Sequence, residues 1–362
     1  MLNLNYNPIH VEDTDGMSND TWLKLRTTGI GGSDVAALYD VSPWTTKRAL
    51  YYAKLGLEKA EMPNPYTLAF GHAMEPFVMS WFNQSFEEKY KEWLEEELNV
   101  QIADFYIYKD TMMYRHPLYP YMQANLDYRW CLTTTEGKEI QGVFECKTTS
   151  YHIGDKKWED DKVPYEYELQ CRHYMSIMNL DYTLIACAWG NNVNDYRVRL
   201  IRRDLDIEEE MIEIEDDFWN RNVKLKNPPA LSAEHASQEL AAYESYDIGK
   251  KLKRKELPEI THNIEEVVEA AKKYTAIKEK IGAYEEQIKL LKNQLDLQKV
   301  KLLEASNDES AHVTDGISRV YINNKTVVTK RIDSTLLKKE QPDIYKNYLK
   351  KSESRRFNVS VY

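Results

Sequence analysis

The stretch Val143-Phe144-Glu145-Cys146-Lys147-Thr148 places an acid and a base two residues apart inside an otherwise strand-forming run. A strand period of two puts Val143, Glu145 and Lys147 on one face and Phe144 and Cys146 on the other. The two charged side chains leave the strand ~7 Å apart, enough for a metal ion and its water. Asp127 follows Gln123-Ala124-Asn125-Leu126 and is expected on the preceding strand, where a hairpin through Thr134 to Gly137 brings its carboxylate beside Glu145. Two carboxylates and a lysine at one point suit Mg²⁺ or Mn²⁺, hard cations that polarise a phosphodiester and generate hydroxide. The lysine would position or deprotonate the water and offset developing negative charge. The same residues also describe a plain ion pair at a sheet edge.

The elements that must hold these residues can be read on either side. Gly29, Gly31 and Gly32 mark a turn after a strand or loop; a helix then runs from Asp34 to a stop at Pro43, and another from Thr45 to Gly56. Ser33 is placed to cap the first of these, and exposed N–H groups at a helix start favour a phosphate, with Arg26 nearby. Gly71 to about Val100 reads as a long helical region with Pro76 early in it, which makes Glu75 a helix-start acid. Asp104 to Lys147 alternates as antiparallel strands. After Pro164 the set Tyr167, Cys171, Tyr174 and Met178 marks an amphipathic helix packed on that sheet, with Gln170 at the boundary of its buried face. Tyr182 to Trp189 and Tyr196 to Ile201 complete a mixed α/β core.

Several separate blocks together resemble the lambda exonuclease/YqaJ-like viral recombinase family of the restriction-endonuclease-like nuclease fold. They are Trp22-Leu23-Lys24-Leu25-Arg26, Gly31-Gly32-Ser33-Asp34-Val35-Ala36-Ala37, Ser42-Pro43-Trp44, Gly71-His72-Ala73-Met74-Glu75-Pro76, Asp127, Glu145-Cys146-Lys147, and Gln170 with Tyr174 one turn later. The resemblance spans roughly residues 20 to 200. It implies that Asp127, Glu145 and the backbone carbonyl of Cys146 are metal ligands assisted by Glu75, that Lys147 is the catalytic lysine with Gln170 in support, and that Arg26 and Ser33 hold the 5′ phosphate of the substrate. The implied fold is α/β, a restriction-endonuclease-like mixed sheet flanked by helices. One departure is Asn125-Leu126-Asp127-Tyr128, where relatives commonly surround the aspartate with Pro and Gly.

Beyond the resemblance the chain is expected to divide into a nuclease core over 1–228, a linker over 229–262, a coiled-coil helix over 263–305 and a small basic α+β unit over 306–362. Val267, Ala270, Tyr274, Ile277, Ile281, Tyr284, Ile288, Leu291, Leu295, Gln298 and Leu302 alternate by three and four as a heptad seam, which requires a partner. In the last unit, Arg319 to Ile322 and Thr326 to Arg331 are predicted as strands, followed by a helix near Ser334 to Leu349. Lys250 to Lys255 and the last forty residues are basic, so DNA binding is compatible with the overall charge of −11.

The four cysteines are widely spaced, which excludes an iron–sulfur or zinc framework and makes them core residues. Six carboxylates in Glu87 to Glu97 and eight in Asp206 to Asp217 read as solvated helix faces, and His72, His152 and His173 lack partners at metal spacing. The longest apolar stretch is too short for a bilayer, and the N-terminus carries no export signal, so a cytoplasmic, non-membrane protein is expected. The expected function is a Mg²⁺-dependent DNA nuclease, with Mn²⁺ as an alternative and one or two ions, digesting double-stranded DNA 5′ to 3′ to expose 3′ single strands. The alternatives are a phage-type endonuclease on the same fold and a non-catalytic DNA-binding recombination accessory protein. The seam leaves three partners open, a second copy in a homo-oligomer, another protein or an intramolecular helix, and a single-strand annealing protein is the partner implied by the family.

Overall fold

The computed structural model describes residues 2–57, 65–150, 157–158, 162–190, 196–245, 263–307, 310–314, 319–324 and 334–347. The chain forms two compact units, Met1–Lys251 and Leu252–Tyr362.

The first unit is built on a five-stranded sheet in the order β3 (Ile102–Lys109), β6 (Tyr128–Thr134), β7 (Glu139–Thr149), β8 (Tyr182–Trp189) and β9 (Tyr196–Arg202). The pairs are antiparallel except β7 with β8, whose parallel register sets Glu145 against Ile185 and Lys147 against Cys187. Strand β7 is therefore central, and the charged residues it carries lie inside the sheet, not at its edge. A second sheet joins β1 (Ile9–Asp13), β4 (Met112–Arg115), β5 (Met122–Asn125) and the two-residue β2 (Ile30–Gly31).

The two faces of β7 are covered by different helices. Phe144 and Cys146 pack with Val78, Phe82 and Phe86, contributed by helix α4 (Pro65–Ser85) and the π-turn after it. On the opposite face Val143 joins Leu169, Tyr174 and Ile177 of helix α6 (Tyr165–Met178), while Cys171 and Met175 of α6 pack against Ile185 and Cys187. Helix α5 (Lys91–Leu98) follows the π-turn, and α7 (Leu205–Asp217) packs beside α6. The period-two reading of β7 thus holds, and the sheet is flanked by helices as expected. All four cysteines are buried and free.

Several local expectations are corrected. Trp22 to Arg26 belong to a helix, α1 (Asn19–Arg26), whose cap is Ser18: its hydroxyl accepts from Thr21 N–H. Ser33 is not a cap. Helix α2 (Gly32–Leu38) starts at Gly31, and the Asp34 carboxylate takes the Gly31 N–H at 2.8 Å, which frees the Ser33 hydroxyl for another partner. Helix α4 begins at Pro65, so Pro76 lies inside it and Glu75 is three turns from its start, out of reach of the N-terminal dipole. Asp127 falls in the link between β5 and β6, not on a strand. Glu208 and Glu215, read as part of a solvated face, are buried.

The segment after α7 continues through α3 (Lys47–Lys54) contacts to helix α8 (Ala236–Ser245): the Arg48 guanidinium donates to Pro229 O at 2.7 Å, and α8 packs on α3. In the second unit, α9 (Ile264–Ala305) is one 42-residue helix with no buried residue; Ile281 and Leu295 of its apolar seam are exposed. Strand β11 (Arg319–Ile322) pairs with β10 (Ala311–Thr314), on its N-terminal side, and two short helices, α10 (Ser334–Glu340) and α11 (Pro342–Asn347), replace the single helix expected there. Thr326 to Arg331, His152 and the basic run Lys250 to Lys255 lie outside the described residues.

Candidate active site

Glu145 is almost fully enclosed, at 1% exposure, in the centre of the sheet. Its Oε1 receives the Lys147 ammonium at 2.5 Å and the Gln170 amide at 2.6 Å, and the Gln170 carbonyl in turn accepts from Lys147 at 3.1 Å. Three side chains from β7 and α6 therefore close a ring of hydrogen bonds, which tightens the ~7 Å strand spacing into direct contact. Gln170, expected at the margin of the helix, is buried because α6 packs on nearly all sides. Its amide also donates to the Tyr174 hydroxyl at 3.1 Å. Glu145 Oε2 is buried with no hydrogen-bond partner among the described residues.

Two further carboxylates approach. The Asp127 Oδ2 accepts the Cys146 N–H at 2.9 Å, which fixes it beside Glu145 as the Tyr128–Phe144 register requires. Glu75 arrives from the other face: the Cys146 thiol donates to Glu75 O at 3.5 Å, and the Glu75 carboxylate is held by His72 Nδ1 at 2.8 Å and Lys109 Nζ at 3.7 Å. Burial first, then the Asp127 charge, push the Glu75 and Glu145 carboxyls up. Burial opposes the Lys147 charge most strongly, yet Glu145 and Asp127 outweigh it and raise its pKa, so the lysine keeps its proton. Among the described residues no group of three or more His, Cys, Asp or Glu side chains is arranged to hold a metal ion. Two surface cavities, one around Tyr119 and Asp216 and one around Glu92 and Thr135, are not lined by these carboxylates.

The second cluster is formed at the start of α2. Arg26 Nη2 donates to Ser33 Oγ at 2.8 Å and lies 3.2 Å from Asp34 Oδ1, while Lys54 Nζ reaches Asp34 Oδ2 at 2.6 Å and Arg26 O at 2.9 Å. The Arg26 guanidinium stacks over the Trp22 ring. Burial alone would raise the Asp34 carboxyl, but Lys54 and Arg26 prevail and hold it at about 2. Two cations around one carboxylate leave a net positive charge, and Arg26 keeps 29% of its side chain exposed. Gly32 joins the two clusters: a Cβ there would lie 2.6 Å from the Tyr174 ring and 3.0 Å from Gln170 Cγ, so only glycine lets α2 approach α6 this closely.

Residues 21–181 match the YqaJ-like viral recombinase domain family. Over 349 residues it is 27% identical to the uncharacterized protein YqaJ of Bacillus subtilis strain 168, covering 95% of this chain and 94% of that one. Among solved structures it resembles the alkaline exonuclease LHK-Exo of Laribacter hongkongensis, with a TM-score of 0.40 and 14% identity over 62% of this chain and all of that one. A phage related exonuclease from Haemophilus somnus 129PT gives a TM-score of 0.24 and 10% identity over 57% of this chain and 99% of that one.

A buried ionic pair between α6 and α7 escaped the sequence reading. His173, taken as a lone histidine, has Nδ1 2.8 Å from Glu215 Oε1 and Nε2 2.9 Å from Gln123 O. With Glu215 ionised both partners are acceptors and both ring nitrogens donate; burial opposes the imidazolium charge, but Glu215 outweighs it and raises the histidine pKa. Burial pushes the Glu215 carboxyl up as well, and the double donation favours the ionised pair. No helix among the described residues is long and apolar enough to cross a membrane.

Proposed function

We propose that this protein is a Mg²⁺-dependent deoxyribonuclease that digests double-stranded DNA from a 5′ end and exposes 3′ single strands. The observation that carries the reading is the Glu145–Lys147–Gln170 ring in the middle of the sheet, with the Asp127 carboxylate fixed alongside it by the Cys146 N–H. Asp127 and Glu145 would hold the cation, with Glu75 and the Cys146 carbonyl in support. The orphaned Glu145 Oε2 and the all-oxygen donor set fit a hard ion. Mg²⁺ keeps several waters and binds proteins through one or two carboxylates, so a pair of ligands without a larger cage suits it. Such an ion, when bound, supplies Lewis acidity toward the phosphodiester and the attacking water.

The protein's own groups do the positioning. Lys147, protonated and aimed by Glu145 and Gln170, orients the attacking water and neutralises charge that develops on phosphorus-bound oxygens. Gln170 fixes the lysine and is itself fixed by Tyr174. Arg26 and Ser33 take the terminal 5′ phosphate: the net positive charge of the Arg26, Asp34 and Lys54 cluster supports an anion there, and this second site favours an exonuclease over an endonuclease.

The test is digestion of 5′-phosphorylated linear duplex, 5′-hydroxyl linear duplex and closed circular DNA, each with Mg²⁺ and with EDTA. Digestion of the phosphorylated linear duplex alone, and only with Mg²⁺, is expected. Cleavage of closed circles would establish the endonuclease alternative, and binding without cleavage under any divalent metal would establish a non-catalytic role.

A further inference from the structure

Trp44 is 62% exposed, unusual for the largest apolar side chain, and it is held in that position by its own backbone. The buried Ser42 hydroxyl accepts from both the Trp44 and Thr45 N–H groups at 3.2 Å, Ser42 N–H is anchored to Ala36 O at 3.1 Å, and Pro43 fixes the turn between them. The next residue but one, Thr46, caps α3 through the Ala49 N–H. The Ser42-Pro43-Trp44 motif thus presents an indole to solvent from a rigid turn between two helices.

The indole is one ring from the candidate lysine. Trp44 stacks on Tyr167, with centroids 5.9 Å apart and planes at 27°, and the Lys147 ammonium lies 5.0 Å from the centre of the same tyrosine ring. Tyr167 also packs against the buried Trp158 at 6.3 Å, so the stack runs from a buried inner ring to the solvent-exposed Trp44. A flat aromatic surface beside a site for phosphodiester chemistry matches a nucleobase: every base offers a π-face, and stacking on an aromatic side chain holds it without selecting its sequence.

We propose that Trp44, backed by Tyr167, is a nucleobase platform that stacks a base at the end of the bound DNA strand and so sets the distance from its phosphodiester to Lys147. This rests on the nuclease reading for the identity of the site, but its test reads binding and does not depend on cleavage. Trp44 is a substrate-binding residue; Tyr167 positions it.

Affinity for a 5′-phosphorylated duplex is measured by fluorescence anisotropy in EDTA, with the terminal nucleotides either intact or abasic, for the wild-type chain, Trp44→Phe and Trp44→Ala. The wild type should bind the intact end about tenfold more tightly than the abasic one. Trp44→Ala should lose that preference while binding the abasic end as the wild type does, and Trp44→Phe should keep most of it. Equal losses on both ends, or wild-type affinity that ignores the missing bases, would overturn the platform. A wild type that prefers intact ends yet cleaves no DNA with any metal would refute the nuclease reading and leave the platform standing; a wild type that cleaves but binds both ends alike would do the reverse.

Discussion

Helix α6 serves two buried ion pairs that look alike on paper and differ in surroundings. Gln170 reaches the Glu145–Lys147 pair, and three residues later His173 pairs with Glu215. In both, one carboxylate oxygen has a cation and the other has no partner among the described residues. An orphaned oxygen by itself therefore does not separate a candidate cation site from a structural pair. Access and neighbours do. His173 and Glu215 are completely enclosed, whereas Lys147 keeps 17% of its side chain exposed. The charges felt by Glu215 beyond its own histidine, Asp34 and Lys54, oppose each other, while Glu145 is faced by two further carboxylates, Asp127 and Glu75. Uncompensated negative charge with a way in from solvent is what invites a cation; compensated charge without one is a fastener.

The comparison can be broken most severely at the fastener. Glu215→Leu leaves the fully buried His173 ring with neither counter-charge nor acceptor for Nδ1, so that it must shed its proton or keep it unpaired, and should cost about 3–5 kcal/mol. Lys147→Met, at the other pair, should cost less than half of that, because the Glu145 carboxyl is already raised by burial and accepts a proton readily. Urea denaturation of the two variants at neutral pH checks the order; equal destabilisation would erase the distinction.

A smaller effect sharpens the role of the cluster between them. Asp34 is held at about 2, below its value of about 3.9 in an unfolded chain, so its contribution is complete above about pH 4 and is lost as pH falls toward 2. The expected loss is about 2 kcal/mol. It should be seen as a falling urea midpoint between about pH 5 and about pH 2.5, and Asp34→Asn should flatten that part of the profile. A profile unchanged by the substitution would mean that Arg26 and Lys54 do not depend on Asp34.

What the sequence disclosed follows the range of each signal. The period of two in β7 put Glu145 and Lys147 on one face and Cys146 on the other, and the length of the Thr134 to Gly137 turn was enough to bring Asp127 to Glu145. These are short-range facts. Glu75 was singled out by its block, but its surroundings were misread because Pro76 was taken for a helix start, whereas α4 had begun at Pro65. Ser33 was read as a cap because the competing cap, Asp34 turning back onto Gly31, depends on Lys54 twenty residues away. The His173–Glu215 pair joins residues 42 positions apart on different helices, and no periodicity links them. Trp44 was visible only as part of a motif, since an exposed indole and a core indole have the same letter.

The central claim is that Asp127, Glu145 and Lys147 act together on a phosphodiester. It is tested most directly by comparing nucleotide release from 5′-phosphorylated linear duplex in Mg²⁺ by the wild-type chain and by Lys147→Met, with circular dichroism to establish that both are folded. The rate should fall by about a hundredfold or more in the variant. Release at the wild-type rate from a folded Lys147→Met protein would contradict the account.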